Sequence, residues 1–443
     1  MNIQLSDHFN YRKLIRFVIP SIIMMVFTSI YGVVDGLFVS NFVGKVPFAA
    51  VNLILPFVMI LGAVGFMFGT GGSALVAKTL GEGDHESANQ YFSLLILVSA
   101  LLGVLFAALG IIFIEPIAKL LGADGEMLNY CITYGRILLL ALPAFMLQNM
   151  FQSFIVTAEK PNVGLFVTVA AGLTNIILDA LLVAVFDYGI VGAAVATAVS
   201  QLIGGVIPLI YFSRKNTSLL RFTKTKFMGD VLLKSCSNGS SELLTNVSLS
   251  LVCILYNFQL MNIVGENGIA AYGVIMYVQF IFLAIFIGYS IGTAPIIGFN
   301  FGAANHSELH NIFKKSLILI GSAGVILMVI AFVGAEPLSK VFVGYDQELF
   351  EMTARGFKFY AISFLLCGVS IFGSSFFTAL NNGIVSAAIS FLRTVVFQVA
   401  AVLVLPLFWG IDGIWSAICV AELASLIVTL ILFVKFKNKY HYA

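Results

Sequence analysis

Long apolar runs, broken at nearly regular intervals by short polar clusters, fill the whole chain. Runs above about 18 residues are long enough to cross a bilayer as helices. A membrane barrel would instead need alternating segments of about ten residues, and no such alternation occurs. Hydropathy and helix breakers predict twelve spans, with cores near 14–40, 47–77, 88–114, 128–157, 162–185, 189–213, 231–264, 268–299, 311–335, 349–378, 384–406 and 410–436. The pattern is that of an all-α polytopic membrane protein. Composition agrees: 60% of residues are hydrophobic and 10% are charged, where soluble domains carry about a quarter charged.

Charge placement orients the spans. With the N-terminus in the cytoplasm, Arg12, Lys13, Arg16, Lys78, Lys160, Lys314, Lys315, Lys435, Lys437 and Lys439 fall in cytoplasmic segments, as do the bases between Arg214 and Lys234. The outer loops then hold Lys45, Lys119 and Lys340, together with the acids Asp124, Glu126, Asp346, Glu348 and Glu351. The positive-inside rule therefore predicts two cytoplasmic termini and an even number of spans.

The two halves repeat. A shift of 221 residues lays Gly71 on Gly292, Gly81 on Gly302, Glu115-Pro116 on Glu336-Pro337, and Gly189 on Gly410. Six spans separate each pair, so the halves share one topology and form two six-helix bundles related by a pseudo-two-fold axis along the membrane normal. The expected division is an N-terminal bundle at 1–212, a basic cytoplasmic linker at 213–234 and a C-terminal bundle at 235–443.

Candidate chemistry is sparse. There is no P-loop and no HExxH, and the histidines (His8, His85, His306, His310, His441) fall in cytoplasmic segments. An enzyme reading has no residues to rest on. The five cysteines lie scattered, without metal-ligand spacing. Against this background Asp35 and Asp179 stand at membrane depth, where a carboxyl costs about 2.5–3.5 kcal/mol unless it finds a partner, a proton or a cation. Asn175 precedes Asp179 by four residues and shares its helix face. At the repeat shift, Asp35 meets Tyr256 and Asp179 meets Ala400. A scaffold requirement would appear in both halves, so the acids read as functional. Asp35 and Asp179 are expected to face each other and to bind a coupling ion. Glu242 has two readings, a site for cationic substrate or ion and a helix-end carboxylate near headgroup water. Arg393 reads as structural, snorkelling or held by a backbone carbonyl. Pro20 permits a bend on the helix that carries Asp35.

These residues resemble the multidrug and toxic compound extrusion (MATE) transporters, specifically their DinF-like branch, over nearly the whole chain. The resemblance carries that branch's first-bundle ion site onto Asp35, Asn175, Asp179 and Thr197, which would also be the metal ligands if the ion were Na+. It carries substrate contacts onto Tyr31, Asn149 and Gln152, with Glu242 beside them, and a conformational hinge onto Pro20. It implies antiport of cationic or amphipathic drugs against H+ or Na+ and no other cofactor. The implied partners are a small-molecule drug and the lipid bilayer, without nucleic acid or an obligatory protein partner, for a monomer in the plasma membrane. A second-bundle ion site would be incomplete, since the tenth span, YAISFLLCGVSIFGSSFF, holds no acid. Two rivals share parts of this pattern. A flippase of lipid-linked sugars needs a basic cavity for phosphate, and Arg393 is the one deep cation. A sensor without transport has no use for two like halves.

Overall fold

The computed structural model describes residues 3–344 and 346–443; the side chain of Lys45, assigned to the outer face from sequence, lies outside the described set. Among the described residues, twelve helices are long and apolar enough to cross a membrane: α1 (Tyr11–Val43), α2 (Val46–Gly81), α3 (His85–Leu120), α4 (Gly125–Thr157), α5 (Pro161–Val185), α6 (Gly189–Ser213), α7 (Gly229–Val264), α8 (Glu266–Gly302), α9 (His306–Val343), α10 (Gln347–Ala379), α11 (Gly383–Trp409) and α12 (Ile411–Tyr440). No strand occurs among the described residues.

The repeat reappears in the turns that start and stop these helices. Asp84 accepts from the Ser87 amide at 3.0 Å to cap α3, and Asn305, 221 positions on, accepts from the Glu308 amide at 3.2 Å to cap α9. Gly44 and Gly265 take φ of 108° and 74° before α2 and α8, a backbone that a side chain would strain. The irregular connection between the halves covers residues 214–228, so Gly229–Lys234, expected in the linker, instead open α7. That connection is tied down: Asn89 accepts from the Arg221 amide at 2.7 Å, and Phe222 stacks on Phe92 with centroids 5.1 Å apart.

The halves meet through reciprocal close contacts near the face that carries both termini. A Cβ on Gly81 would stand 2.0 Å from Phe299 O, and one on Gly302 would stand 2.0 Å from Lys78 O. The shift of 221 exchanges these two contacts. Gly71 against Ser235 and Gly239, and Gly292 against Val18, form a second exchanged pair. Absent side chains let the backbones of α2 and α8, α2 and α7, and α1 and α8 approach, the small-residue packing that apolar helices use in lipid.

Three stretches wind as π-helix, an irregularity that concentrates at functional sites. Val39–Val43 follows Asp35 on α1, Ala180–Val185 follows Asp179 on α5, and Leu392–Phe397 contains Arg393 on α11. Each lies beside a charge at membrane depth.

Candidate functional site

The first-bundle site begins with a glycine. A Cβ on Gly172 would stand 2.5 Å from the Phe27 ring and 2.7 Å from the Tyr31 ring, so this gap lets α1 lie against α5. Asp35 is one turn beyond Tyr31, and Asn175 and Asp179 are one and two turns beyond Gly172. The Asp35 carboxyl therefore faces Asp179, Thr197 and Asn175. Asp179 is fully buried and Asn175 is 1% exposed. Tyr31 faces Asp35 and Gln148, and Tyr134 of α4 comes up beside both acids and Thr197.

None of these groups completes a hydrogen bond of ordinary geometry within the site. Asp35 Oδ1, both Asp179 oxygens, Asn175 Oδ1 and Thr197 Oγ1 are all buried without a partner among the described residues. No arginine, lysine or histidine forms an ion pair with either acid among the described residues. The arrangement is a cluster of oxygens converging on one point, which suits a proton or a small hard cation. Among the described residues, no group of three or more His, Cys, Asp and Glu side chains is placed to hold a metal ion.

The remaining site residues divide. Gln152 is buried in α4 with Oε1 unpartnered, and it lines a small cavity with Met24, Gln148 and Gly204. Asn149 Nδ2 donates to Gly62 O at 3.3 Å and so ties α4 to α2. Pro20 is buried inside α1. Glu242 does not join the acid pair. It lines a cavity of about 110 Å³ in the second bundle with Tyr272, Gln398, Arg393 and Glu422. It also lines one of about 60 Å³ with Met25, Phe66, Thr70 and Ser153 of the first bundle.

Arg393 has a partner that the sequence reading did not name. Its Nε stands 2.9 Å from each oxygen of Glu422 on α12, and its Nη2 is 2.8 Å from Oε1. Arg393 is thus held by a carboxylate, in place of the lipid headgroups or backbone carbonyl expected. The signal was available: Glu422 interrupts the apolar run IWSAICVAELASLIV. A buried acid and a buried base in one half call for each other. Tyr134 and Gln148, also missed, carry no such signal, because tyrosine and glutamine occur in many spans without function.

Twelve helices in two exchanged halves, with a buried carboxylate cluster in one of them, define a class of ion-coupled membrane transporter folds. The chain matches the MatE family model over residues 20–181 and 243–403, and it belongs to that family. It is 27% identical to the multidrug export protein MepA of Staphylococcus saprophyticus subsp. saprophyticus over 426 residues, covering 96% of this chain and 93% of that protein. It is likewise 27% identical over 434 residues to the protein of that name from Staphylococcus haemolyticus, covering 97% and 94%. Among solved structures, the outward-facing conformation of a multidrug resistance MATE family transporter of the MOP superfamily superposes with a TM-score of 0.93 at 22% identity, covering 100% of this chain and 99% of that one.

Proposed function

We propose that this protein is a secondary active exporter of cationic or amphipathic small molecules, driven by inward movement of H+ or Na+. The supporting observation is the set of buried, unpartnered oxygens on Asp35, Asp179, Asn175 and Thr197. Two carboxylates side by side, away from water and without a base, are a high-energy arrangement until a proton or cation enters. Entry of the ion relieves that energy and lets α1 and α5 close on each other. Its loss to the other side restores the charge and favours separation. Tyr31 faces both Asp35 and Gln148, Gln148 and Gln152 line a small cavity, and Glu242 supplies a negative wall where the two bundles meet. Pro20 frees a backbone carbonyl in α1 and gives that helix a place to bend. The basic face, which holds both termini, is the cytoplasmic one, and the membrane is the plasma membrane.

A drug with a positive charge suits this lining better than a phosphate does. Glu422 grips Arg393 with both carboxylate oxygens, so the second-bundle cavity presents Glu242 as its unpaired charge. A lipid-linked sugar flippase is disfavoured on that ground.

The test is dye export from proteoliposomes under an imposed pH gradient or an imposed Na+ gradient. Asp35→Asn and Asp179→Asn should each abolish ion-driven export while the protein remains monodisperse in detergent. Normal export by both variants would overturn the assignment. The gradient that drives the unmodified protein identifies the ion.

A further inference from the structure

A cavity of about 710 Å³, several times larger than those beside Glu242, opens at the foot of α1 and α5. Its walls are Ile3 of the N-terminal arm, the α1 residues from Arg12 to Pro20 that face α5, and Glu159, Pro161 and Asn162 at the entry to α5. Arg12 and Arg16 are one turn apart on the same helix face. Both are exposed, and neither has an ion-pair or hydrogen-bond partner among the described residues. Of the bases nearby, Lys13 pairs with Asp7 at 2.8 Å, and Lys315 donates to Phe9 O at 2.7 Å. One carboxylate faces the cavity, that of Glu159. It accepts from the Leu5 amide at 2.6 Å, and burial raises it above the ordinary carboxylate range. It therefore offsets the arginines only in part. The first turn of α5 has no side-chain cap, so the Asn162 amide adds a further donor at the same mouth.

An apolar track leads away from the arginines. Ile15, Ile19 and Ile23 succeed one another at four-residue spacing along α1, each between 38% and 45% exposed. Across the gap, α5 exposes Phe166 and Leu173. A free phosphate would use the arginines and leave this track bare, and a cationic drug would meet two like charges. A molecule with an anionic head and acyl chains uses both parts.

We propose that this cavity is a binding site for one anionic phospholipid of the leaflet on the basic face, its phosphate held by Arg12 and Arg16 and its chains laid between α1 and α5. The planar guanidinium fork suits a phosphate oxygen pair. Bases at this depth attract anionic lipid generally; the cavity adds a defined place and a stoichiometry of one. The two helices it bridges are those that carry Asp35 and Asp179.

The experiment is native mass spectrometry of the full-length protein released from detergent, titrated with phosphatidylglycerol or with phosphatidylcholine of the same chains. One phosphatidylglycerol should bind roughly tenfold or more tightly than phosphatidylcholine, and the double variant Arg12→Gln/Arg16→Gln should lose that preference. Arg12→Lys/Arg16→Lys should keep part of it, and Lys224→Gln/Lys226→Gln on the linker should keep all of it. Millimolar inorganic phosphate should not displace the lipid. Equal binding of the two lipids by the unmodified protein overturns the proposal, and this comparison stands even if the arginine variant fails to fold. Retention of the preference by a folded Arg12→Gln/Arg16→Gln protein also overturns it, as does an equal loss in the linker variant. Displacement by phosphate would make the site one for a free anion and would likewise overturn it.

Discussion

In the first bundle a fully buried carboxylate, Asp179, and a half-buried one, Asp35, lie together with no base among the described residues; in the second the Arg393 guanidinium is clasped by a carboxylate. The frames around them are alike, since a shift of 221 residues exchanges caps, turns and interface glycines. The same shift lays Asp35 on Tyr256, which stacks on Tyr272 at 4.8 Å in an aromatic cluster, and lays Gly172 on Arg393. Where the first bundle keeps a gap that admits Tyr31, the second fills the equivalent position with Arg393. The hydroxyls of Tyr256 and Tyr360 also lack partners. They are neutral, however, and an unmet hydroxyl costs far less than an unmet carboxylate. The duplicated part of the sequence is therefore a frame. One half of it holds two acids that no base meets among the described residues, and the other clasps Arg393 with Glu422 and leaves Glu242 without an ion pair among the described residues.

The comparison breaks most sharply at Arg393. Arg393→Gln leaves the Glu422 carboxylate buried without its partner and should cost about 3–5 kcal/mol. Glu422→Gln should cost less, because Glu242 lies near enough to share the guanidinium charge. Arg393→Met/Glu422→Leu removes both charges and should recover most of the loss. Chemical denaturation in detergent measures all three. Asp35→Asn and Asp179→Asn should show the opposite behaviour, keeping stability and losing transport. If Arg393→Gln left stability intact and removed ion coupling, the balanced pair would belong to the transport machinery and the contrast would fail.

A second prediction sharpens the likeness of the two frames. Gly81→Ala and Gly302→Ala each place a methyl 2.0 Å from a carbonyl oxygen of the facing helix. Backbone must move in either case, and each substitution should cost about 1–3 kcal/mol. Because the contacts are exchanged by the repeat, the two costs should agree within about 0.5 kcal/mol. Gly273→Ala, with nothing within 4 Å of the added methyl, should be neutral or stabilising by up to about 1 kcal/mol. Thermal unfolding of the three variants checks the order.

The frame was legible because lipid removes alternatives. Within hydrocarbon each backbone polar group must bond inside its own segment, so apolar length alone yields helices, and glycine and proline punctuation marks their ends. The position of Asp35 opposite Asp179 was legible for a similar reason: few acids stand so deep, and the Asn175–Asp179 spacing fixes a face. Glu422 stands in an apolar run of the second half as Asp179 does in the first, so its pairing with Arg393 follows from the same rule. The use of Asn149 could not be read at all. Whether a buried amide faces a cavity or a neighbouring carbonyl depends on where α2 lies, and Gly62, the residue that decides it, is 87 positions away.

The smallest effect tests the likeness at the helix caps. Asp84 and Asn305 occupy equivalent positions before α3 and α9, but only the first titrates. Hydrogen bonds from the Ser87 side chain and amide hold the Asp84 carboxyl below its ordinary value of 3.8. A carboxyl depressed on folding stabilises fully above its unfolded value, and that contribution disappears as pH falls through the lower folded value. Acidification from about pH 5 to about pH 3 should therefore weaken protection of the Ser87 amide, read by hydrogen exchange corrected for its intrinsic rate. Asp84→Asn should remove the pH dependence and keep the cap, since either side chain accepts from the first turn. Asn305→Asp should install the same dependence at the Glu308 amide. Glu308 itself carries a carboxyl, but it bonds outward to His8 and to the Phe9 amide. That carboxyl is present in both the unmodified protein and the Asn305→Asp variant, so the difference between them isolates the cap. Equal pH responses with and without the substitution at both helices would mean that these amides are held by the surrounding bundle, and that the likeness of the halves ends at their turns.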